Sequence, residues 1–344
     1  MTIDTSGPGL IDAWGRAATD VRVSLTDRCN LRCTYCMPAE GLEWLPSPQV
    51  LTDVEVVRLV SVAVELLGIS EVRFTGGEPL VRRGLEDIVA ATADLRTPAG
   101  NRPEISLTTN GLGLDRRASG LVRSGLDRVN VSLDSLDRAQ YALLARRDRL
   151  PDVLAGLRAA EDAGLHPIKI NTVLLRGVNE GQAVPLLKWS IRHGYELRFI
   201  EQMPLGPPHT WDRAAMVTAE EILGLLATEF ELQPAAPTVR AGAPAELWTV
   251  AGTGDTPATV GVIGAVTRPF CSACDRTRLT ADGQIRNCLF AADETDLRTA
   301  LRAGVDDQGL AAMWQNATWG KKVAHGIGSP GFHQPSRLMS AIGG

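Results

Sequence analysis

The chain lacks an apolar run long enough to cross a bilayer; its best stretch is broken by Glu65. It also lacks an excess of positive charge: 40 Asp and Glu stand against 35 Lys and Arg, for a net charge of −5. A nucleic-acid-binding role, which needs a basic surface, is therefore not supported. No secretory signal peptide opens the sequence, and no low-complexity tract or short-period repeat interrupts it. A phosphate loop of the form G-x4-G-K-[ST] is absent, so a bound nucleotide would need cations or amide donors from elsewhere. Hydrophobic residues make up 44%, which excludes general disorder. The expectation is a soluble cytoplasmic protein, in a compartment that keeps thiols reduced.

Cysteine is scarce too, and its placement is the strongest signal present. The six cysteines all fall into two triplets. Cys29, Cys33 and Cys36 form C-x3-C-x2-C within CNLRCTYCMP. Three thiolates from one short loop can hold a [4Fe–4S] cubane and leave its fourth iron open to a small molecule. Zinc sites usually need four ligands and C-x2-C pairs. Cys271, Cys274 and Cys288 form C-x2-C-x13-C. Disulfides are disfavoured in a long intracellular chain that can bury a core without them. Three and three suggests two clusters, each with one open iron. Zinc, with His325 or His333 as fourth ligand, stands as the alternative for the second set.

From Val21 to about Glu201 strands and helices alternate. Strand-like segments begin at Val21, Val72, Glu104, Arg128, Pro167 and Glu196. In the first helix Thr52 is the N-cap, Glu55 its capping-box partner, and Val56, Val60, Val64 and Leu67 recur at helical spacing before Gly68. Pro151 suits the first turn of a later helix. Repeated units of this kind predict a parallel sheet with right-handed crossovers, and six are too few for an eight-fold barrel. The first ten residues read as a disordered tail. After Met203 the composition changes: Pro204–His209 is rich in proline and glycine, a helix is expected at Thr218–Glu229, and Gln233–Ala245 reads as a loop. A boundary near Leu232 separates residues 11–232 from a smaller C-terminal region, 233–344, that carries the second triplet.

Several residues outside the triplets suggest a ligand. Gly76-Gly77-Glu78-Pro79 follows the strand Val72–Thr75, at the end of a parallel barrel where active sites lie. Glycine there permits close approach to the backbone, and Glu78 can accept a hydrogen bond from an ammonium group. Arg22 and Arg73 sit on strands that otherwise read as buried, and Lys169 interrupts an apolar strand. A charge in a barrel interior is costly unless partnered, and an anionic ligand would provide the partner. Arg276 and Arg278 alternate, so in an extended segment both point to one side.

Together these features resemble the GTP 3′,8-cyclases of molybdenum cofactor biosynthesis, within the radical S-adenosylmethionine (SAM) superfamily. The likeness rests on GRAATDVRVSLTDRCNLRCTYCMP, VRFTGGEPLVRR, LTTNG, RVNVSLDSL, KINTVLLRGVN, LRFIEQMPLG, FCSACDRTRLTADGQIRNCLF and the terminal Gly343-Gly344. The resemblance implies an incomplete (β/α)6 barrel closed by a C-terminal auxiliary-cluster region. It implies two [4Fe–4S] clusters, with SAM on the first and guanine on the second. Tyr35, Gly77, Glu78, Ser132 and Met203 would meet SAM. Arg22, Arg73, Thr108, Lys169, Arg276, Thr277 and Arg278 would meet GTP. Reductive cleavage of SAM would give a 5′-deoxyadenosyl radical that removes the 3′ hydrogen of GTP, and C3′ would then bond to C8. The catalytic set would be Cys29, Cys33, Cys36 and the tail glycines Gly343 and Gly344, the tail entering the site once ligands are bound. The reaction needs an electron donor, its product would pass to cyclic pyranopterin monophosphate synthase, and the reading leaves room for a homodimer. One departure stands out: where the family commonly has a basic residue, this chain has Glu71, which puts triphosphate affinity in question. Two other readings are a peptide-modifying radical SAM enzyme and a zinc-stabilised binding module, although the former usually carries more C-terminal cysteines than these three.

Overall fold

The structure, a computed structural model, describes residues 9–208, 210–236, 243–253 and 257–343. Of the tail expected at residues 1–10, the first eight lie outside the described residues, while Leu10 is buried and opens β1 (Leu10–Ile11), which pairs with β2 (Ala17–Ala18). The barrel strands are β3 (Asp20–Ser24), β4 (Glu71–Thr75), β5 (Glu104–Thr109), β6 (Arg128–Ser132), β7 (Ile168–Val173) and β8 (Glu196–Ile200). They pair in that order, all parallel. Helices α1 (Asp53–Ser61), α2 (Leu85–Ala93), α3 (Leu114–Arg123), α4 (Arg138–Ala145), α5 (Leu150–Asp162) and α6 (Ala183–His193) alternate with them. The α1 cap is as expected from sequence: Glu55 N–H donates to Thr52 Oγ1, and Thr52 N–H donates to the Glu55 carboxylate. Among the described residues no helix is long and apolar enough to cross a membrane.

Residues beyond the expected boundary continue the same sheet. Helix α7 (Ala219–Ala227) leads to β9 (Leu232–Pro234), β10 (Glu246–Val250) and β11 (Thr259–Ile263). Strand β11 runs parallel to β8. At the other flank β12 (Arg276–Leu279) runs parallel to β3, followed outward by β13 (Gln284–Arg286) and β14 (Thr295–Asp296). Helices α8 (Leu297–Arg302), α9 (Asp307–Trp319) and α10 (Met339–Ile342) complete the chain. Because β11 and β12 point the same way, the connector 264–275 must return from the C-terminal edge of the sheet to its N-terminal edge. It therefore carries Cys271 and Cys274 to the end opposite Cys29, Cys33 and Cys36, which follow β3. The two triplets are separated by the strand length, roughly 13 Å for four steps of about 3.3 Å.

The strands alternate more sharply than parallel strands usually do. Val21, Val23, Val72, Phe74, Ile105, Leu107, Val129 and Val131 are fully buried in the hydrophobic core. The intervening positions are Arg22, Arg73, Ser106, Thr108, Asn130 and Ser132. Parallel strands covered on both sides are normally apolar on both faces. A polar inner face instead marks an interior built to hold a ligand.

Glu201, at the end of β8, holds the connector in place. Its buried carboxylate accepts from the backbone N–H groups of Ala219, Val266 and Thr267, and from the Thr267 hydroxyl. Each donor left unpaired in the interior costs about 1–3 kcal/mol. We expect Glu201→Ala to lower unfolding stability by several kcal/mol in denaturant titration, against about 1 kcal/mol for Thr52→Ala, which removes only a helix cap. Equal small losses would show that the connector is held by other contacts.

Candidate active site

The inner face encloses a cavity of about 250 Å³. At one end it is lined by Cys29, Cys33, Cys36, Tyr35, Gly76 and Gly77; along its wall stand Arg22, Arg73, Arg198, Arg276 and Arg278, with Thr108, Ser132, Asn171 and Met203. The expected SAM and substrate positions thus converge on one space, with exceptions described below.

The cysteine loop is pressed against the glycine loop. Gly77 N–H donates to the Thr26 carbonyl at 2.7 Å, and Glu78 N–H to that of Arg28 at 2.8 Å. A Cβ on Gly77 would lie 2.4 Å from the carbonyl oxygens of Asp27 and Arg28. Close approach is required there by the cysteine loop itself. Glu78 also ties the loop together from within. Its carboxylate is fully buried and accepts from Leu80 N–H, Asn110 N–H and the Thr109 hydroxyl, at 2.7–2.9 Å. Burial, opposed by these bonds, pushes its pKa up to about 7. It braces the loop and does not line the cavity. Tyr35 donates to Asp134 at 2.8 Å, fixing the residue ahead of Cys36.

The thiols suit a cluster. Leu31 N–H and the Asn110 side-chain amide donate to Cys29 Sγ, at 3.4 and 3.7 Å. Burial raises the Cys29 and Cys33 thiols and pushes Cys36 up to about 12, so loading with metal must release protons. The second triplet lines a separate cavity of about 100 Å³ with Arg16, Lys321 and His325. Among the described residues no three His, Cys, Asp or Glu side chains converge on one point.

Asp20, at the start of β3, is the carboxylate shared by three residues of the arginine wall, with Glu196 beside Arg198 at 3.7 Å and Asp275 beside Arg276 at 3.5 Å. Arg22, Arg73 and Arg276 each stand 3.8 Å from Asp20. Burial opposes its ionisation, but Arg73, Arg22, Arg276 and Arg278 outweigh that and hold it below the usual carboxylate range. Arg22 Nε and Arg198 Nε are buried without a hydrogen-bond partner, as is Asn171 Oδ1. Such orphaned groups are costly unless a ligand satisfies them. Arg198 and Asn171 escaped the sequence reading, although Arg198 interrupts an apolar strand just as Lys169 does. Lys169 occupies the inner face below Asn171, pairs with Glu196 at 3.0 Å and stands outside the cavity lining. Glu71 pairs with Arg128 at 3.2 Å.

Side chains alternate along β12, so with Arg276 and Arg278 facing inward the Thr277 side chain faces outward. There its hydroxyl accepts from Trp314 Nε1 at 3.0 Å, which leaves only its backbone on the side of the cavity wall. The tail reaches into the barrel: the Gly343 carbonyl accepts from Arg278, and Met339 and Ser340 line the cavity. Gly343 has φ +86°, and a Cβ there would lie 2.8 Å from Thr75 Cγ2. Gly344 lies outside the described residues.

Residues 23–190 match the radical SAM superfamily, and residues 195–327 match the family described as Molybdenum Cofactor Synthesis C. In fold the chain is similar to Streptococcus suis SuiB, with a TM-score of 0.60 at 13% identity over 89% of this chain and 68% of that one. It is also 60% identical to a GTP 3′,8-cyclase of Corynebacterium glutamicum, over 97% of this chain and 89% of the relative. A GTP 3′,8-cyclase of Streptomyces coelicolor is likewise 60% identical, over 97% of this chain and 96% of the relative. With its cysteine loop, arginine wall and auxiliary triplet in one barrel, the chain belongs to the GTP 3′,8-cyclase family.

Proposed function

We propose that this protein converts GTP to (8S)-3′,8-cyclo-7,8-dihydroguanosine 5′-triphosphate, the first step of molybdenum cofactor biosynthesis. The observation that carries the reading is the single cavity with a three-thiol loop at one end and five arginines along its wall. Asp20, Glu196 and Asp275 set three carboxylates against those five arginines, and a triphosphate supplies the missing negative charge. A [4Fe–4S] cluster with SAM would supply the electron and the hydrogen-abstracting radical; the protein supplies position and exclusion of water. Cys29, Cys33 and Cys36 would hold that cluster. Tyr35, Gly77, Ser132 and Met203 orient SAM, with Glu78 bracing the loop beneath it. Arg22, Arg73, Arg198, Arg276 and Arg278 orient the triphosphate, Thr108 meets the substrate beside them, and Lys169 stands at the lower rim. Cys271, Cys274 and Cys288 would hold a second cluster at the far end, where guanine docks. The reaction belongs in the cytoplasm. It draws on an external electron donor and passes its product to cyclic pyranopterin monophosphate synthase.

The test is an anaerobic assay with SAM, GTP and a strong reductant, read by product mass. Serine at Cys29, Cys33 or Cys36 should abolish 5′-deoxyadenosine release. Serine at Cys271, Cys274 or Cys288 should leave some release and stop cyclisation; normal cyclised product from the latter would remove guanine from the second triplet. For the arginines, loss of one partner of a desolvated charge pair costs roughly 2–5 kcal/mol. Arg276→Ala should therefore weaken GTP far more than guanosine in calorimetric titration, whereas equal weakening would place Arg276 away from the phosphates. Deleting Gly343 and Gly344 frees Arg278 while leaving the core intact. We expect unchanged iron content and near-normal GTP affinity with most cyclised product lost; full turnover would make the tail a passive end.

A further inference from the structure

Lys321 follows α9 and is 6% exposed. Its three ammonium protons meet three acceptors: the Arg276 carbonyl at 2.8 Å, the Cys274 carbonyl at 3.0 Å and Cys274 Sγ at 3.3 Å. Among the described residues it forms no ion pair with a carboxylate. Its own carbonyl is pinned by Trp14 Nε1 at 3.1 Å, from the β1–β2 hairpin. The same hairpin sends Arg16 to the carbonyls of Cys271, Lys322 and Val323. A buried ammonium is costly without a counter-charge, and of its three hydrogen-bond partners among the described residues the Cys274 sulfur is the one able to carry such a charge.

We propose that Lys321 is a positioning residue for the second triplet, its ammonium lying as a fixed positive charge against the Cys274 sulfur and tying that ligand to the first residue of the substrate strand β12. The proposal rests on the reading that this triplet holds an iron–sulfur cluster. Hydrogen bonds and charge beside a thiolate ligand set a cluster's electron affinity and its retention. A fixed cation favours the reduced form, so Lys321 holds the potential of the second cluster up and keeps its iron in place.

The test uses anaerobically reconstituted holoenzyme: total iron, potentiometric titration followed by electron paramagnetic resonance, and the rate of iron loss to a chelator. The signal of the second cluster is identified by its absence in Cys288→Ser. Lys321→Met should lower that midpoint by the equivalent of at least tenfold in a one-electron equilibrium, about 59 mV, and speed iron loss several-fold. The other midpoint should not move, and Lys321→Arg should restore most of the shift. Lys321→Gln, which keeps a donor without the charge, gives the same readout should the methionine variant fail to fold. With about eight irons in the wild type, unchanged midpoints and iron loss in the variants would overturn the role of Lys321 alone. About four irons, with no signal lost in Cys288→Ser, would overturn the two-cluster reading and this proposal with it.

Discussion

The structure depends on how a buried set of arginines is tolerated around Asp20. Each pair at 3.8 Å is worth about 4 kcal/mol of attraction at an effective dielectric near 20. Asp20, with Asp275 beside Arg276, does not offset the desolvation of three guanidinium groups and their mutual repulsion. The pull of burial on Arg22 and Arg73 shows the imbalance, since both are held below the ordinary arginine value. A barrel interior in this state is poised for an anion. It tolerates the positive excess because the outer face of the same strands is a continuous apolar core.

That division also sets the geometry of the chemistry. Parallel strands have a C-terminal and an N-terminal edge, and the cysteine triplets are attached to opposite ones. The arginine wall lies between them, so an elongated ligand can be held at both ends and along its length. The connector 264–275 makes this possible, and Glu201 braces its β11 end by gathering backbone donors from α7 and the connector. The hairpin β1–β2 clamps the Cys271 end through Arg16.

Local features were legible before the structure. The capping box at Thr52 and Glu55, the six barrel strands and Pro151 in the first turn of α5 all depend on residues within a few positions of one another. The inward face of each strand was legible too, since alternation follows from the extended backbone. That rule turns Arg276 and Arg278 inward and, applied one residue further, turns the Thr277 side chain outward. The same rule applied to β8 would have added Arg198. The bonds of Glu78 to Thr109 and Asn110 were not legible, because those donors lie some thirty positions away.

By itself the sequence determined the two cysteine triplets, the strand–helix alternation and, through family likeness, the reaction class. These are encoded in spacing, which survives whatever the rest of the chain does. The tertiary structure decided which strands flank the barrel, which cations share Asp20, where the tail lodges and which ammonium meets Cys274. Arg278 and Gly343 are 65 positions apart, and Lys321 and Cys274 are 47 apart. Contacts of that range carry no periodic signature, because they arise only when packing of the apolar outer faces brings distant segments into register.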